Sequence, residues 1–414
     1  MSQFFAKIEK INNKGLGFFR DEEKELSGCV PFSLPGDLVE YSINQDKTLN
    51  IIGLQKNSSD RVIPLCPQFG KCGGCSLQHA SDSFILDWKE SIVRCELKKK
   101  SINTTFRKSI VLANFSRRRA KFTGRRTKKG VIVGFHKRFS HTITPIKGCL
   151  ILDKSLLSFS DAMKKITLLT CSRSSKLVFH LSKCERGLDV HLEGVKKITV
   201  DIKSSLIEIA REFEVSRLTC DGELIALFEK PFQNVGNIRI YPPNLFFMQA
   251  TKAAERLMIS NIKAAMANQK EVADLFSGCG AFSLALGEEK KVTAYDNAPS
   301  MLEALNEAYK RNSKLKTIKI SVRNLLKEPL TRDELSRFDG AIINPPRGGA
   351  LLQAAELAKS NVKTIISISC NPETFARDSE ILIKGGYRID WLQIIDQFKW
   401  SHHIELISQF SKKG

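Results

Sequence analysis

From about residue 245 to the C-terminus, stretches with helical periodicity alternate with short apolar stretches that predict strands. The predicted strands are "EVADLF", "KVTAYD", "DGAIINPP" and "VKTIISISC", and a helix is predicted around 247–268, before the first of them. Strands separated by helices favour a doubly wound parallel sheet with helices on both faces. Ligands of such sheets bind at the carboxyl ends of the strands. The residues that follow each strand are therefore the first candidates for a functional site.

The sequence upstream of this segment predicts two further domains. Residues 1–56 alternate apolar and polar residues between glycine, proline and asparagine turns, which predicts a small OB-like β-barrel. Residues 57–240 mix β-like stretches with a helical stretch near 203–213 and predict an α+β middle domain. A predicted helix at 82–100 is expected to pack on the C-terminal domain, residues 241–414. The predicted fold class is multi-domain α/β.

The chain carries a formal net charge of +21 and has a sequence pI of about 9.5. An excess of this size favours an anionic polymer as the partner, and nucleic acid is the commonest. General solubility is the alternative, but the basic residues cluster between Phe115 and Gly130. The candidates for contact with phosphate are Arg117, Arg118, Arg119, Lys121, Arg125 and Arg126.

Other features of the sequence set the expected location of the protein. No apolar run approaches the ~20 residues that span a membrane, and the N-terminus lacks the apolar core of a signal peptide. We therefore expect a cytoplasmic protein without a membrane partner, acting as a monomer. Eleven cysteines in that compartment are expected to be free, metal-binding or catalytic rather than paired in disulfides.

A glycine-containing turn follows the first strand of the C-terminal pattern. Gly278 and Gly280 allow the backbone to pass close to a ligand, and Asp296 ends the next strand, where an acid can accept hydrogen bonds from a ribose. The third glycine of the dinucleotide fingerprint is missing, so the pattern fits S-adenosylmethionine better than a dinucleotide. The alternative is a tight turn in a fold that binds no nucleotide.

Two further candidates lie near the C-terminus. Cys370 stands where an apolar strand gives way to Asn371-Pro372, at the same edge as the glycine turn. This position favours a reactive thiolate, although a buried inert cysteine is the commoner fate of a single cysteine. Glu405 follows His402 and His403 on a predicted final strand and is a candidate general base.

Three cysteines, Cys66, Cys72 and Cys75, follow the spacing CxxxxxCxxC. Clustered thiols are typical of a tetrahedral metal site, which needs a fourth ligand. The spacing alone favours zinc, and His79 is nearby. The cysteine candidates for the fourth ligand are Cys29, Cys95, Cys149, Cys171, Cys184 and Cys220.

Taken together, these motifs resemble those of the S-adenosylmethionine-dependent RNA (uracil-5-)-methyltransferases. The resemblance is to the bacterial 23S rRNA members that carry a TRAM domain and an iron–sulfur cluster, and it covers essentially the whole chain. Its motifs are "VPFSLPGDLVEY", "CPQFGKCGGCSLQH", "FFMQA", "DLFSGCGAFSLAL", "NPPRGG", "SCNPETFARD" and "HHIEL". The resemblance implies a TRAM barrel at the N-terminus and a Rossmann-like methyltransferase domain at the C-terminus.

The resemblance also implies roles for individual residues. Cys370 would add to carbon 6 of uracil, so that carbon 5 can attack the sulfonium methyl, and Glu405 would then remove the carbon-5 proton. Cys149 would join the other three cysteines around a [4Fe–4S] cluster, with zinc as the alternative. The implied contacts to S-adenosylmethionine are Gln249, Phe276, Gly278, Gly280, Asp296, Asn324 and Asn344.

Two positions depart from the family pattern. Asp296 occupies a place where the family more often has Glu, and Asn344 one where it has Asp. Asn keeps the size of the acid but loses its charge and adds donors. We interpret Asn344 as tolerated. The implied substrate is 23S rRNA, with the tRNA T-loop as the alternative; a non-catalytic RNA-binding or ribosome-assembly factor and a redox-sensing RNA binder are rival functions.

Overall fold

The computed structural model describes residues 3–44, 48–195 and 198–412. The N-terminal region is rich in β-structure and forms two antiparallel three-stranded sheets, ordered β1-β5-β6 and β2-β3-β4. Phe19, Val39 and Tyr41 pack in its core because alternate residues of the strands face inward. Its strands are β1 Phe4–Lys7, β2 Lys10–Ile11, β3 Leu16–Asp21, β4 Leu26–Pro31, β5 Leu38–Ile43 and β6 Leu49–Gln55.

Helix α1, Asp82–Lys98, follows the cysteine-containing loop. Ser81 caps its first turn by accepting a hydrogen bond of 3.2 Å from the Phe84 N–H. The buried face of α1 includes Trp88 and Val93, which belong to the same hydrophobic core as the C-terminal sheet. The helix thus ties the region before the middle sheet to the C-terminal part of the chain.

The middle region is built on a seven-stranded sheet, ordered β10-β9-β8-β11-β12-β13-β14. Its helices pack against this sheet around a separate core that contains Phe122, Phe159 and Phe179. The elements of this region are β7 Ile110–Val111, β8 Arg119–Thr127, β9 Gly130–His136, β10 Ile143–Pro145, α2 Lys154–Ser158, α3 Ser160–Thr170, β11 Lys176–Lys183, β12 Leu188–Glu193, α4 Val200–Glu212, β13 Val215–Cys220, β14 Glu223–Leu227, β15 Gln233–Val235 and β16 Ile238–Ile240.

The C-terminal region alternates helices and strands, as the sequence predicts. Its elements are α5 Lys252–Ala265, β17 Glu271–Leu275, α6 Ala281–Gly287, β18 Lys291–Asp296, α7 Pro299–Lys310, β19 Ile318–Val322, α8 Arg332–Leu335, β20 Gly340–Ile343, α9 Leu351–Lys359, β21 Thr364–Ser369, α10 Pro372–Lys384, β22 Tyr387–Asp396 and β23 Leu406–Lys412.

These strands form a mixed eight-stranded sheet, ordered β19-β18-β17-β20-β21-β23-β22-β7. The strands from β17 to β21 pair in parallel, whereas β23 runs antiparallel to both of its neighbours. Strand β7 comes from the upstream region and pairs in parallel with β22. Val272 and Ala273 belong to different hydrophobic cores, so helices cover both faces of the sheet. The structure therefore has the α/β architecture that was predicted.

Two boundaries differ from the sequence prediction. Helix α5 begins at Lys252, because Thr251 accepts a hydrogen bond of 3.0 Å from the Ala254 N–H and caps the first turn. The last strand begins only at Leu406, so Glu405 lies at the end of a loop instead of within the strand. Across the described ranges 3–44, 48–195 and 198–412, the helices lack the combination of length and apolarity needed to cross a membrane.

Candidate active site

The glycine turn after β17 forms one wall of the candidate site. Gly278 and Gly280 adopt left-handed backbone conformations, with φ of +55° and +75°. A Cβ at Gly280 would lie 2.4 Å from Leu305 Cδ1, so a side chain there would collide with α7. The Gly278 N–H donates a hydrogen bond of 2.8 Å to Asp296 Oδ2, and the Ala298 N–H donates one of 2.9 Å to Oδ1. Asp296 therefore holds the turn in place.

A cavity of about 70 Å³ lies beside this turn. Gln249, Phe276, Gly278 and Asn344 all line it. The cavity thus brings together four of the residues implied as contacts to S-adenosylmethionine. They come from the extended stretch before α5, the glycine turn and the end of β20.

The other three implied contacts do not line this cavity. Gly280 is the N-cap residue immediately before helix α6, and the Asp296 carboxylate accepts hydrogen bonds from the backbone of the turn. Asn324 follows β19, at the end of the neighbouring strand, and its Oδ1 accepts a hydrogen bond of 3.2 Å from the Leu326 N–H. The cavity also places Asn344 next to the turn, since the Asn344 N–H donates to Leu275 O at 3.2 Å.

Cys370 lies directly after β21, at the same edge of the sheet. Asn371 caps α10 by accepting a hydrogen bond of 3.1 Å from the Glu373 N–H, so the chain turns sharply at the cysteine. The thiol is half-buried. Burial raises its pKa above the ordinary value, the charge of Glu405 raises it further, and Arg347 lowers it. Burial is the largest of these effects, and Arg347 is the neighbour that favours the thiolate.

Glu405 is buried, with 6% of its surface exposed. Burial raises the pKa of its carboxyl to about 7, while a hydrogen bond from Gln397 and the charges of Arg119 and Arg347 act in the opposite direction. Gln397 Nε2 donates to Glu405 Oε2 at 3.0 Å. A carboxyl with a pKa near neutrality can both accept and release a proton at physiological pH.

The basic segment divides into buried and exposed residues. Arg118 is only 4% exposed. Its Nη2 pairs with Glu255 Oε2 at 2.5 Å, and its Nε donates to Gln249 O at 3.0 Å. The prediction that Arg118 contacts RNA phosphate is therefore wrong: its charge is neutralised inside the protein, where it holds the stretch that carries Gln249.

The other basic residues lie nearer the surface. The Arg119 guanidinium stands over the Phe247 ring at 4.7 Å, and that of Arg117 over the Phe398 ring at 5.9 Å. These two arginines are partly covered, and they flank the elements that carry Gln249 and Gln397. The exposed residues of the predicted set are Lys121, Arg125 and Arg126.

The four candidate metal ligands converge on a second, larger cavity of about 750 Å³. Cys66, Cys72, Cys75 and Cys149 all line it. Burial raises the pKa of the Cys75 thiol to about 12, and burial also raises the pKa of the Cys72 and Cys149 thiols; the charges of neighbouring cysteines add to each effect. Yet within residues 3–44, 48–195 and 198–412, no three His, Cys, Asp or Glu side chains are arranged to hold a metal ion.

Comparison with known proteins identifies the family. The family model of tRNA (uracil-5-)-methyltransferases matches residues 237–413. An uncharacterized RNA methyltransferase of Brucella suis is 35% identical over 383 residues, which cover 92% of each chain. Another, of Rhizobium meliloti, is 34% identical over 418 residues, which cover 100% of each chain. The chain belongs to the RNA (uracil-5-)-methyltransferase family.

Two further similar proteins have names that state a substrate. The 23S rRNA (uracil(1939)-C(5))-methyltransferase of Shewanella woodyi is 28% identical over 430 residues, 97% of this chain and 94% of that one. The tRNA (uracil-54, C5)-methyltransferase of Pyrococcus abyssi, solved with S-adenosyl-L-homocysteine, has a TM-score of 0.75 and 18% identity over 98% of this chain and 100% of that one. The latter likeness shows a shared fold.

As a member of the RNA (uracil-5-)-methyltransferase family, the protein is an enzyme, and the non-catalytic functions considered above are not supported. Gln249, Cys370 and Glu405 lie within the matched residues 237–413, whereas the four candidate metal ligands lie outside them.

Two site residues were missed by the sequence analysis. Arg347, in the "NPPRGG" stretch, lies 2.6 Å from His403 Nδ1 through its Nη2, and it lowers the pKa of Cys370. Its motif could have pointed to it. Gln397 contacts both Gln249 and Glu405, and no pattern in the sequence distinguishes it.

Proposed function

We propose that this RNA (uracil-5-)-methyltransferase transfers a methyl group from S-adenosylmethionine to carbon 5 of a uridine, with Cys370 as nucleophile and Glu405 as base. The observation that carries the proposal is the meeting of these two groups at one sheet edge. They are 35 residues apart in the chain, and the charge of Glu405 acts directly on the thiol. Methylation of carbon 5 of uracil needs one group that adds to carbon 6 and another that removes the proton from carbon 5.

Each residue has a defined task in the reaction. The Cys370 thiol first loses its proton to water; the thiolate sulfur then forms a bond to carbon 6 of the uracil and makes carbon 5 nucleophilic. Arg347 favours the ionised thiol. S-adenosylmethionine supplies the methyl group and leaves as S-adenosylhomocysteine. Glu405 then accepts the carbon-5 proton, and the bond between sulfur and carbon 6 breaks to release Cys370.

The cavity beside the glycine turn is the proposed site of the methionine part of the cofactor. Gln249, Phe276 and Asn344 line it, and the turn leaves the Gly278 backbone open to a ligand. Asp296 ends β18 and Asn324 follows β19, the next two strands of the sheet, where the ribose and the adenine are expected. S-adenosylmethionine carries charged groups of its own, so a neutral Asn344 in the wall of this cavity is compatible with its binding.

A mechanism-based adduct tests the roles of the two residues. RNA with 5-fluorouridine cannot lose its carbon-5 substituent, so it should remain attached to the enzyme in the presence of S-adenosylmethionine. We expect the adduct with wild type and with Glu405→Gln, but not with Cys370→Ala. Cys95→Ala is the matched control, because Cys95 is an exposed thiol on α1. An adduct with Cys370→Ala would reject the assignment of the nucleophile.

We propose 23S rRNA as the substrate, with the tRNA T-loop as the alternative. The Shewanella woodyi relative, whose name states 23S rRNA, matches nearly the full length of the chain. Mapping 5-methyluridine in both RNAs from cells with and without the gene tests the choice. Loss of a 23S rRNA site in the deletion strain is expected, and loss confined to tRNA would transfer the assignment to the T-loop.

The proposed RNA-binding surface includes Lys121, Arg125 and Arg126, all exposed on β8. The β-rich N-terminal region would extend this surface as a TRAM domain. Such side chains neutralise phosphates without reading the bases. Replacing any one of them should weaken RNA binding and make it less sensitive to salt.

We also propose that Cys66, Cys72, Cys75 and Cys149 hold a [4Fe–4S] cluster, with zinc as the alternative. The donor chemistry fits, because four cysteines converge on one cavity and soft thiolates suit either site. The spacing of the clustered cysteines alone favours zinc. The resemblance to the iron–sulfur members of the family is what favours the cluster.

The composition of the purified protein decides between these metals. Anaerobically purified wild type should contain iron and sulfide at about four atoms of each per chain. Cys149→Ser should lose them, whereas Cys95→Ser should retain them. Stoichiometric zinc without sulfide would show that the alternative is correct.

A further inference from the structure

Gln397 joins the two halves of the site. It follows β22 and is 4% exposed. Its Nε2 donates to Gln249 Oε1 at 2.9 Å and to Glu405 Oε2 at 3.0 Å. Gln249 lines the proposed cofactor cavity, and Glu405 is the proposed base. One buried amide group therefore contacts both.

Those two hydrogen bonds alone fix the orientation of the amide. In the part of the chain that the structure describes, the Gln397 Oε1 atom is buried and has no hydrogen-bond partner. An unpaired buried amide oxygen is unfavourable. The amide keeps this orientation because its Nε2 donates to the carboxylate of Glu405 and to the amide oxygen of Gln249.

The backbone around Gln397 is held independently of these contacts. Lys89 Nζ pairs with Asp396 Oδ1 at 2.7 Å, with both side chains buried, and also donates to Phe398 O at 3.2 Å. The Phe398 N–H donates back to Asp396 Oδ1 at 3.2 Å. The residues on both sides of Gln397 are thereby anchored to helix α1, so its side chain starts from a fixed position.

We infer that Gln397 is a positioning residue for proton abstraction: its amide orients the Glu405 carboxylate toward the substrate, while its second hydrogen bond links the base to the cofactor cavity through Gln249. This inference rests on the proposed function of Cys370 and Glu405. Donation to a carboxylate favours its ionised form. When Glu405 accepts the carbon-5 proton, Gln397 Oε1 becomes the better partner, so rotation of the amide would disturb the bond to Gln249.

Methyl transfer and proton removal depend on different residues. Formation of the adduct and transfer of the methyl group need Cys370, and only the removal of the carbon-5 proton needs Glu405. Gln397→Met keeps the size of the side chain but removes the donor. It should therefore leave the formation of the 5-fluorouridine adduct within about twofold of wild type and slow turnover on uridine RNA about tenfold or more, as expected for the loss of a hydrogen bond to a charged group.

The pH dependence of turnover distinguishes a positioning role of Gln397 from a merely structural one. With Gln397→Met, the ionisation of Glu405 in the turnover profile should move up by about one pH unit, since the donor that favours the carboxylate is lost. Gln393→Met is the matched control. Gln393 is also buried, four residues earlier in β22, but it donates to Lys108 O at 2.9 Å, away from the site. It should keep the wild-type profile.

The experiment measures adduct formation and turnover for wild type, Gln397→Met and Gln393→Met between pH 6 and 9. Slow turnover with a normal adduct and a shifted profile is the expected result for Gln397→Met. Equal loss of both activities, or no loss of either, would overturn the inference. Gln397→Asn, whose shorter side chain removes the same contact, serves if Gln397→Met does not fold. A wild-type enzyme without adduct or turnover would instead reject the proposed function.

Discussion

Lys89 and Asp396 form a buried ion pair of 2.7 Å between residues 307 positions apart in the sequence. The pair joins helix α1 to the end of strand β22, immediately before Gln397. Burial lowers the pKa of Lys89, and Asp396 opposes that shift. Each charge is stable in this place only because the other is present.

Lys89→Met should therefore destabilise the protein strongly, because it leaves the Asp396 carboxylate buried without a partner. We expect a loss of about 3–5 kcal/mol in the free energy of unfolding, measured by denaturant unfolding. Lys100→Met is the control: Lys100 pairs with Glu380 at 2.9 Å between the end of α1 and α10, at the surface. Its loss should be below about 1 kcal/mol, and equal losses for the two variants would contradict this account.

Glu405→Gln should reduce methyl transfer and increase the stability of the folded protein above neutral pH. The carboxyl has a pKa of about 7 in the folded protein, against 4.5 for the free group, so the folded state binds the proton more tightly. The stability that this proton provides is complete below pH 4.5 and is lost as the pH rises through 7. The neutral variant avoids this loss. Its free energy of unfolding should exceed that of wild type by up to about 3 kcal/mol at pH 8 and by little at pH 4.

Thermal unfolding at the two pH values measures this difference, and methyl transfer by Glu405→Gln should be strongly reduced at both. A variant with the same pH dependence of stability as wild type would show that Glu405 does not titrate near neutrality. An active variant would show that another group removes the proton.

Arg118 and Arg125 should behave differently although both lie in the same basic segment. Arg118 holds Gln249 O and the Glu255 carboxylate, so Arg118→Met should weaken the binding of S-adenosylhomocysteine about tenfold or more, measured by calorimetry. Arg125 is exposed. Arg125→Met should leave that affinity unchanged and reduce the salt dependence of RNA binding by about one phosphate contact.

A loss of RNA affinity without a loss of cofactor affinity in Arg118→Met would support the prediction from the sequence that Arg118 contacts RNA phosphate. If Arg118→Met changes only the affinity for RNA, its contacts inside the protein are unimportant for the cofactor cavity. Arg126→Met offers a second surface variant, since Arg126 is also exposed.

The alternation of helices and strands was sufficient to predict the C-terminal sheet and the edge at which its motifs meet. Cys370, Gly278 and Asp296 were found because each lies at or just after the end of a predicted strand. The antiparallel strand β23 and the addition of β7 could not be foreseen, because the period of a strand does not specify its partner. The start of α5 was missed by several residues because the apolar residues Phe246 to Ala250 continue the helical pattern into an extended stretch.

Side chains whose role depends on distant partners lay beyond sequence reasoning. Arg118 lies in the same basic segment as the exposed arginines, but its partner Glu255 is 137 residues away. Gln397 has no distinguishing pattern, and its importance comes from two contacts made only in the folded chain.

The rate of methyl transfer from labelled S-adenosylmethionine to uridine-containing 23S rRNA, compared for wild type and Cys370→Ala, tests the central claim most directly. We expect wild type to form 5-methyluridine and Cys370→Ala to lose at least about 10³-fold in rate, with an affinity for RNA within twofold of wild type. Transfer by Cys370→Ala at the wild-type rate would contradict the account.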